Sequence, residues 1–331
     1  MRDPRISTIR LISLIMIITC HILQGLNYEL AFWFNLGVQI FFFISGYLYG
    51  NRTNTSINLR EWYTKQYFKI VIPVAILVLY SAIIDRFVYN ISYSKLLILG
   101  NLLGLGGFYG TLTTLSHTWF ISYILICYLV TPLLQRINYT NMKEKEIAKT
   151  LLSLALLLFL FQFFGVSQIN SAWIFNYILG LFFGNCYIKN KRSYKRFVIT
   201  IVSISIIVLI PRLLLQYSLS LSNNILDHFK EYIFNWSHML LGSSIFLVLY
   251  HVLGKFNLKY NRVLEFSDTN SYYIYLVHQI FILNHLSILN FTSNIFINIF
   301  LILCASIVSG LALKYLTKVI DNLLISRTQK N

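Results

Sequence analysis

Arg10 and His21 flank the apolar stretch IRLISLIMIITCH, eleven residues apart. At 3.6 residues per turn that spacing is close to three turns, so a helix would set both side chains on one face about 16 Å apart. A guanidinium is a permanently charged planar fork of donors suited to phosphate or carbonyl oxygens. A neutral imidazole can take a proton from a hydroxyl near neutral pH. In this order the pair would grip an anion at the mouth of a helix and activate a nucleophile deeper in. The competing reading makes His21 a hydrogen-bonded packing residue and Arg10 an anchor that extends to the interface. Their shared face favours chemistry.

The elements that must position these residues are membrane helices. Of the 331 residues 57% are hydrophobic and 11% charged, against about 25% charged in an average soluble domain, and the mean hydropathy is +0.66. Apolar runs recur with short polar connections between them, which excludes a soluble fold. A crossing needs roughly 20 apolar residues, and ten runs qualify, over 9–26, 31–50, 66–88, 118–137, 149–164, 171–188, 196–215, 235–253, 271–290 and 294–316. The short glycine-rich segment 95–109 reads as a re-entrant or interfacial piece. The expectation is an all-α polytopic protein, with 1–331 forming a single membrane-embedded domain.

Charge gives an independent check, because lysine and arginine concentrate in cytoplasmic connections. The net charge is +16, and of the 27 basic residues all but Arg86, Lys95, Arg212 and Lys230 fall on one side of the ten-span frame. Both termini are therefore expected to be cytoplasmic, and the charge needs no nucleic-acid partner to explain it. The four cysteines lie in apolar runs without metal or disulfide spacing. Arg2, Arg5 and Arg10 precede Leu11–Leu23 with the polarity of a secretory signal, but no small-residue cleavage site follows. The run reads as a retained first span.

Five stretches, in order, resemble acyltransferase family 3, membrane O-acyltransferases that modify surface polysaccharides and related acceptors. Arg10 to His21 resembles the family's first-span basic residue and histidine. NLGVQIFFFISGYLYG at 35–50 is similar to its second-span Gly-Val and Phe-Phe-x-x-Ser-Gly element. KQYFKIVIP at 65–73 resembles a basic stretch ending in proline at the start of the third span. HTWFISYILICYLVTPLL at 117–134 is similar to its tryptophan-containing fourth span, and SDTNSYYIYLVHQIFI at 267–282 to its late Ser-Tyr-x-x-Tyr-Leu-x-His element. The chain departs from the family at Thr8, where an acidic residue is common.

The resemblance implies transfer of an acyl group, acetyl by preference, from cytoplasmic acyl-CoA to a hydroxyl of an exported or lipid-linked carbohydrate, such as a capsular or other cell-surface polysaccharide. Acetyl-CoA is then a donor substrate, and no resident cofactor or metal is expected. The bilayer, the carbohydrate and proteins of surface-polysaccharide assembly are the expected partners, and the cell membrane the expected site. His21 would be the general base, or would carry the acyl group itself. Arg10, Lys65 and Lys69 would meet the donor's phosphates. An oxyanion would need donors, which Ser45 or Tyr47 beside Gly46 could supply. Gly46 and Phe42 read as packing, Trp119 as an aromatic-belt anchor with a supporting role open to it, and His278 as a supporting or a structurally bonded histidine. His117, His228, His238, His251 and His285 show no usable pattern.

The rival class is a transporter or flippase of a sugar, lipid or lipid-linked oligosaccharide. Ion coupling there uses buried carboxylates and interrupted repeats, whereas all eleven acidic residues fall at span ends or in connections. A glycan polymerase would want an arginine-rich outer loop, which is missing from the frame.

Overall fold

A computed structural model describes residues 3–52, 58–136, 143–164, 169–187, 191–217 and 224–328, with the backbone alone at 187, 191, 217, 224–229 and 324–328. Among these residues the chain is all-helical, without strands. The principal helices are α1 (Pro4–Gly25), α2 (Ala31–Phe34), α3 (Leu36–Gly50), α4 (Leu59–Phe87), α5 (Lys95–Leu102), α6 (Gly106–Tyr109) and α7 (Trp119–Gln135). They continue as α8 (Glu144–Phe164), α9 (Ser171–Phe182), α10 (Lys191–Tyr217), α11 (Asn224–Leu253), α12 (Arg262–His278) and α13 (Ile295–Thr328).

Eight described helical segments are long and apolar enough to cross a membrane, so the chain is a multi-pass membrane protein. The other two expected spans are shaped differently. Over 171–188, α9 is helical only to Phe182 and continues as a π-helical turn, Phe183–Tyr187. Over 271–290, the helix starts earlier, at Arg262, where the Asn261 side chain accepts from Leu264 N–H at 3.0 Å. It ends at His278, and a 3-10 turn, Gln279–Phe281, follows. Pro73 falls within α4 rather than at its start, because α4 begins at Leu59.

The chain forms two compact units that interleave in sequence, one from Met1–Ser13, Asn35–Ile57 and Val130–Tyr260, the other from Leu14–Phe34, Asn58–Leu129 and Asn261–Asn331. In the first unit α3 and α9 touch backbone to backbone. A Cβ on Gly46 would stand 1.9 Å from the Tyr177 carbonyl oxygen, and one on Gly180 2.2 Å from that of Phe43. Small residues bring membrane helices this close, and dispersion and polar contacts hold them, since lipid supplies no hydrophobic drive between helices. The seam is polar at its centre. Asn176 donates to Gln39 O at 2.7 Å and accepts from the Ser243 hydroxyl at 2.7 Å, all three residues being buried. Ser205 ties α10 to α11 by donating to Leu240 O at 2.9 Å.

In the second unit α12 packs on α13, with Lys314 donating to Asn270 Oδ1 at 2.8 Å, and on α4, where the Tyr272 hydroxyl donates to Ile70 O at 2.8 Å. The segment 95–109 folds as α5 and α6 around Gly104, whose φ of +76° only glycine adopts without strain. A Cβ there would meet Leu125 at 2.9 Å and Val71 at 3.3 Å. The turn thus lies alongside the middle of α4. At the end of α4, buried Asp85 accepts from the Tyr93 hydroxyl at 2.7 Å and that of Thr114 at 3.2 Å. Burial, reinforced by that carboxylate, holds the Tyr93 phenol above its usual range.

Candidate active site

Three histidines from distant parts of the sequence meet inside the second unit. The His21 ring centroid lies 5.1 Å from that of His278 and 6.3 Å from that of His117, and the last two are 5.3 Å apart. α1 carries His21, the last residue of α12 is His278, and His117 sits on a 3-10 turn, Thr113–Thr118, that leads into α7. Tyr275 closes the group, its ring 5.3 Å from His117 and 5.6 Å from His278. Its hydroxyl donates to the His117 carbonyl at 2.9 Å.

Gln279 organises this wall. Its side-chain oxygen accepts from the His117 backbone N–H at 2.9 Å and the Ser116 hydroxyl at 3.1 Å, while its amide nitrogen donates to Ser116 Oγ at 2.9 Å. The backbone N–H can only donate, so it fixes which end of the amide is oxygen. That oxygen also faces His117 Nδ1 at 2.5 Å, and Leu276 O faces Nε2 at 3.0 Å. Both nitrogens of His117 face acceptor oxygens of the protein, so neither is presented to a substrate.

The other two rings differ from it. His21 Nδ1 donates to Gln24 Oε1 at 3.1 Å, and His278 Nδ1 to Tyr275 O at 2.5 Å. An acceptor on Nδ1 places the proton there and leaves Nε2 as the basic nitrogen. His278 Nε2 is buried without a hydrogen-bond partner among the described residues, whereas His21 is only half-buried. Of the three, His21 is the least buried.

The expected site residues divide between the units. His21, His278, Trp119, Lys65 and Lys69 belong to the second, and Arg10, Ser45 and Tyr47 to the first. His21 and His278 are brought together. Lys65 and Lys69 are exposed on α4, and Trp119, half-buried, starts α7. Arg10 is half-buried on α1, the same continuous helix as His21. Ser45 is half-buried on α3, while Tyr47 is buried with its hydroxyl 3.4 Å from that of Tyr250. Arg5 lies 4.2 Å over the Tyr250 ring and pairs with Asp3 at 2.6 Å. His117 and Gln279 are the members that sequence reasoning left out. Among the remaining histidines, His285 stacks on Tyr89 at 4.7 Å and His251 meets Tyr194 at 3.4 Å. His238 is buried in the first unit, and the side chain of His228 lies outside the described residues. No group of three or more histidine, cysteine or acidic side chains suited to a metal occurs among the described residues.

Among the described residues, then, an all-helical membrane protein sets one half-buried imidazole against two buried histidines. A profile of the acyltransferase domain, acyltransferase family 3, matches residues 3–318. The chain belongs to that family and is an acyltransferase. No curated protein and no solved structure matches it.

Proposed function

We propose that this chain transfers an acetyl group from cytoplasmic acetyl-CoA to a hydroxyl of an exported or lipid-linked carbohydrate, such as a capsular polysaccharide, within the cell membrane. The observation that carries the reading is His21, held by Gln24 through Nδ1 and half-buried beside His117 and His278, in a chain of this family. The accompanying topology is one membrane domain of ten spans with both termini cytoplasmic. The eight long helices support it, together with α9 and its π turn and with α12 and its 3-10 turn.

The acceptor hydroxyl gives its proton to His21 Nε2 as its oxygen attacks the thioester carbonyl. The new C–O bond forms, the C–S bond breaks, and the coenzyme A thiolate leaves and takes the proton back from the imidazolium. A covalent route, in which Nε2 first accepts the acetyl group and then yields it to the hydroxyl, uses the same nitrogen. His278 and Trp119 support the site and Ser45 supplies an oxyanion donor, with Tyr47 the other candidate. Arg10, Lys65 and Lys69 meet the donor's phosphates.

The test is proton NMR of surface glycan from cells carrying the wild-type protein, His21→Ala, or no protein. The expected result is an O-acetyl signal that requires the protein and vanishes in His21→Ala at equal membrane abundance. Glycan that reaches the surface only with the protein, bears no acyl group, and is indifferent to His21→Ala would replace this reading with export.

A further inference from the structure

A second feature of the same unit lies on the opening turns of α4. A cavity of about 480 Å³ runs between that part of α4 and the adjoining face of α7, with Leu105 and Phe108 contributing from the turn at Gly104. Tyr63, Tyr67, Phe108, Leu125 and Ile126 line it. The lining is almost wholly apolar, and three of its hydroxyls are committed to backbone groups. Tyr63 donates to Leu129 O at 2.9 Å, and Tyr67 to Leu103 O at 3.2 Å. Ser122 donates to Gly104 O and accepts from Gly107 N–H, both at 2.8 Å. A sugar, or the amide-bearing arm of a coenzyme A thioester, would lose its own hydrogen bonds in such a groove. A hydrocarbon chain would lose none.

Two of its lining residues, Phe68 and Leu129, are exposed, as lipid-facing side chains are. Trp62 lines it as well, and the exposed Arg60 and Lys65 flank Trp62 along α4. An indole beside cations marks the interface between hydrocarbon and headgroups, and basic clusters at that depth select anionic lipids. We infer that this groove binds one hydrocarbon chain of an anionic phospholipid, with its headgroup phosphate against Arg60 and Lys65. The inference shares Lys65 with the proposed donor-phosphate contacts and otherwise uses none of the residues assigned to acyl transfer.

Trp62 reports on the groove directly. The full chain, in mixed micelles, would be titrated with phosphatidylglycerol or phosphatidylcholine carrying brominated chains, and Trp62 quenching isolated as the difference between wild type and Trp62→Phe. The expected result is half-quenching at a phosphatidylglycerol fraction about fivefold or more below that for phosphatidylcholine. Arg60→Gln with Lys65→Gln should remove most of that preference, and Ile126→Phe, which fills the groove, should weaken Trp62 quenching by both lipids. Equal quenching by the two lipids in the wild-type protein would overturn the proposal, whatever the variants do. So would a Trp62 that neither lipid quenches.

Discussion

The seam between α3 and α9 and the histidine wall behind His21 are both buried, polar and built from helices, yet they are finished in opposite ways. In the seam, Gly46 and Gly180 let carbonyl oxygens stand where a Cβ would be, and Asn176 meets Gln39 on one side and Ser243 on the other. In the wall, His278 Nε2 is left without a partner among the described residues, and His21 beside it is only half-buried. Membrane interiors punish unmatched polar groups, so a closed network specifies packing and an open one specifies chemistry. Substitutions should therefore separate the two regions, with stability responding in one and rate in the other.

The largest effect is expected at His21. Removing a general base costs about 10²- to 10⁴-fold in rate. His21→Ala should lose that much initial rate of labelled acetyl transfer from acetyl-CoA to glycan in membrane vesicles, at unchanged thermal stability in detergent. Gln279→Leu should blur the contrast. It leaves the buried His117 backbone N–H and Nδ1 without their acceptor, and each buried orphan costs about 1–3 kcal/mol. Stability and rate should both fall, and a normal melting profile with a normal rate would show that Gln279 does not hold the wall.

Gly46→Ala reverses the signature. On helix propensity alone alanine would stabilise by up to about 1 kcal/mol, but its Cβ would stand 1.9 Å from Tyr177 O. Overpacking of that kind costs about 1–3 kcal/mol or more. The expected outcome is a lowered melting temperature with a near-normal rate per folded molecule. A stabilised Gly46→Ala would mean that α3 and α9 are not in backbone contact.

The same contrast explains what could be read from the chain beforehand. Gly46 declares itself as packing because small residues in an apolar run have one principal use, and the long helices declare themselves through length and hydropathy. α12 conceals its start because Glu265, Asp268 and Asn270 lower its hydropathy, although Asn261 caps it well before the apolar part begins. The π turn after α9 is a local change of helical hydrogen bonding that leaves composition unaltered. His21 is legible because an imidazole deep in an apolar stretch has few ordinary uses. His117 is not, since its position before Trp119 looks like any polar turn, and its partner Gln279 lies 162 residues away. Pairing across that distance is set by tertiary packing, which no local pattern encodes.

The smallest effect concerns the proton on His21 rather than the ring itself. Gln24 is exposed and contributes a single acceptor, at 3.1 Å from Nδ1. A hydrogen bond of this kind is worth about 0.5–1.5 kcal/mol, so Gln24→Leu should slow transfer by roughly two- to tenfold without changing the melting temperature. If the bond acts by holding Nδ1–H and leaving Nε2 as the base, any acceptor at that position should serve. Gln24→Glu retains one and should stay close to the wild-type rate, whereas a purely steric role for Gln24 would leave the leucine variant as active as the glutamate one. The ratio of the two rates, measured in the same vesicle preparation, thus reads the orientation of the imidazole directly, and a ratio of one would leave His21 without the support on which its assignment as the base relies.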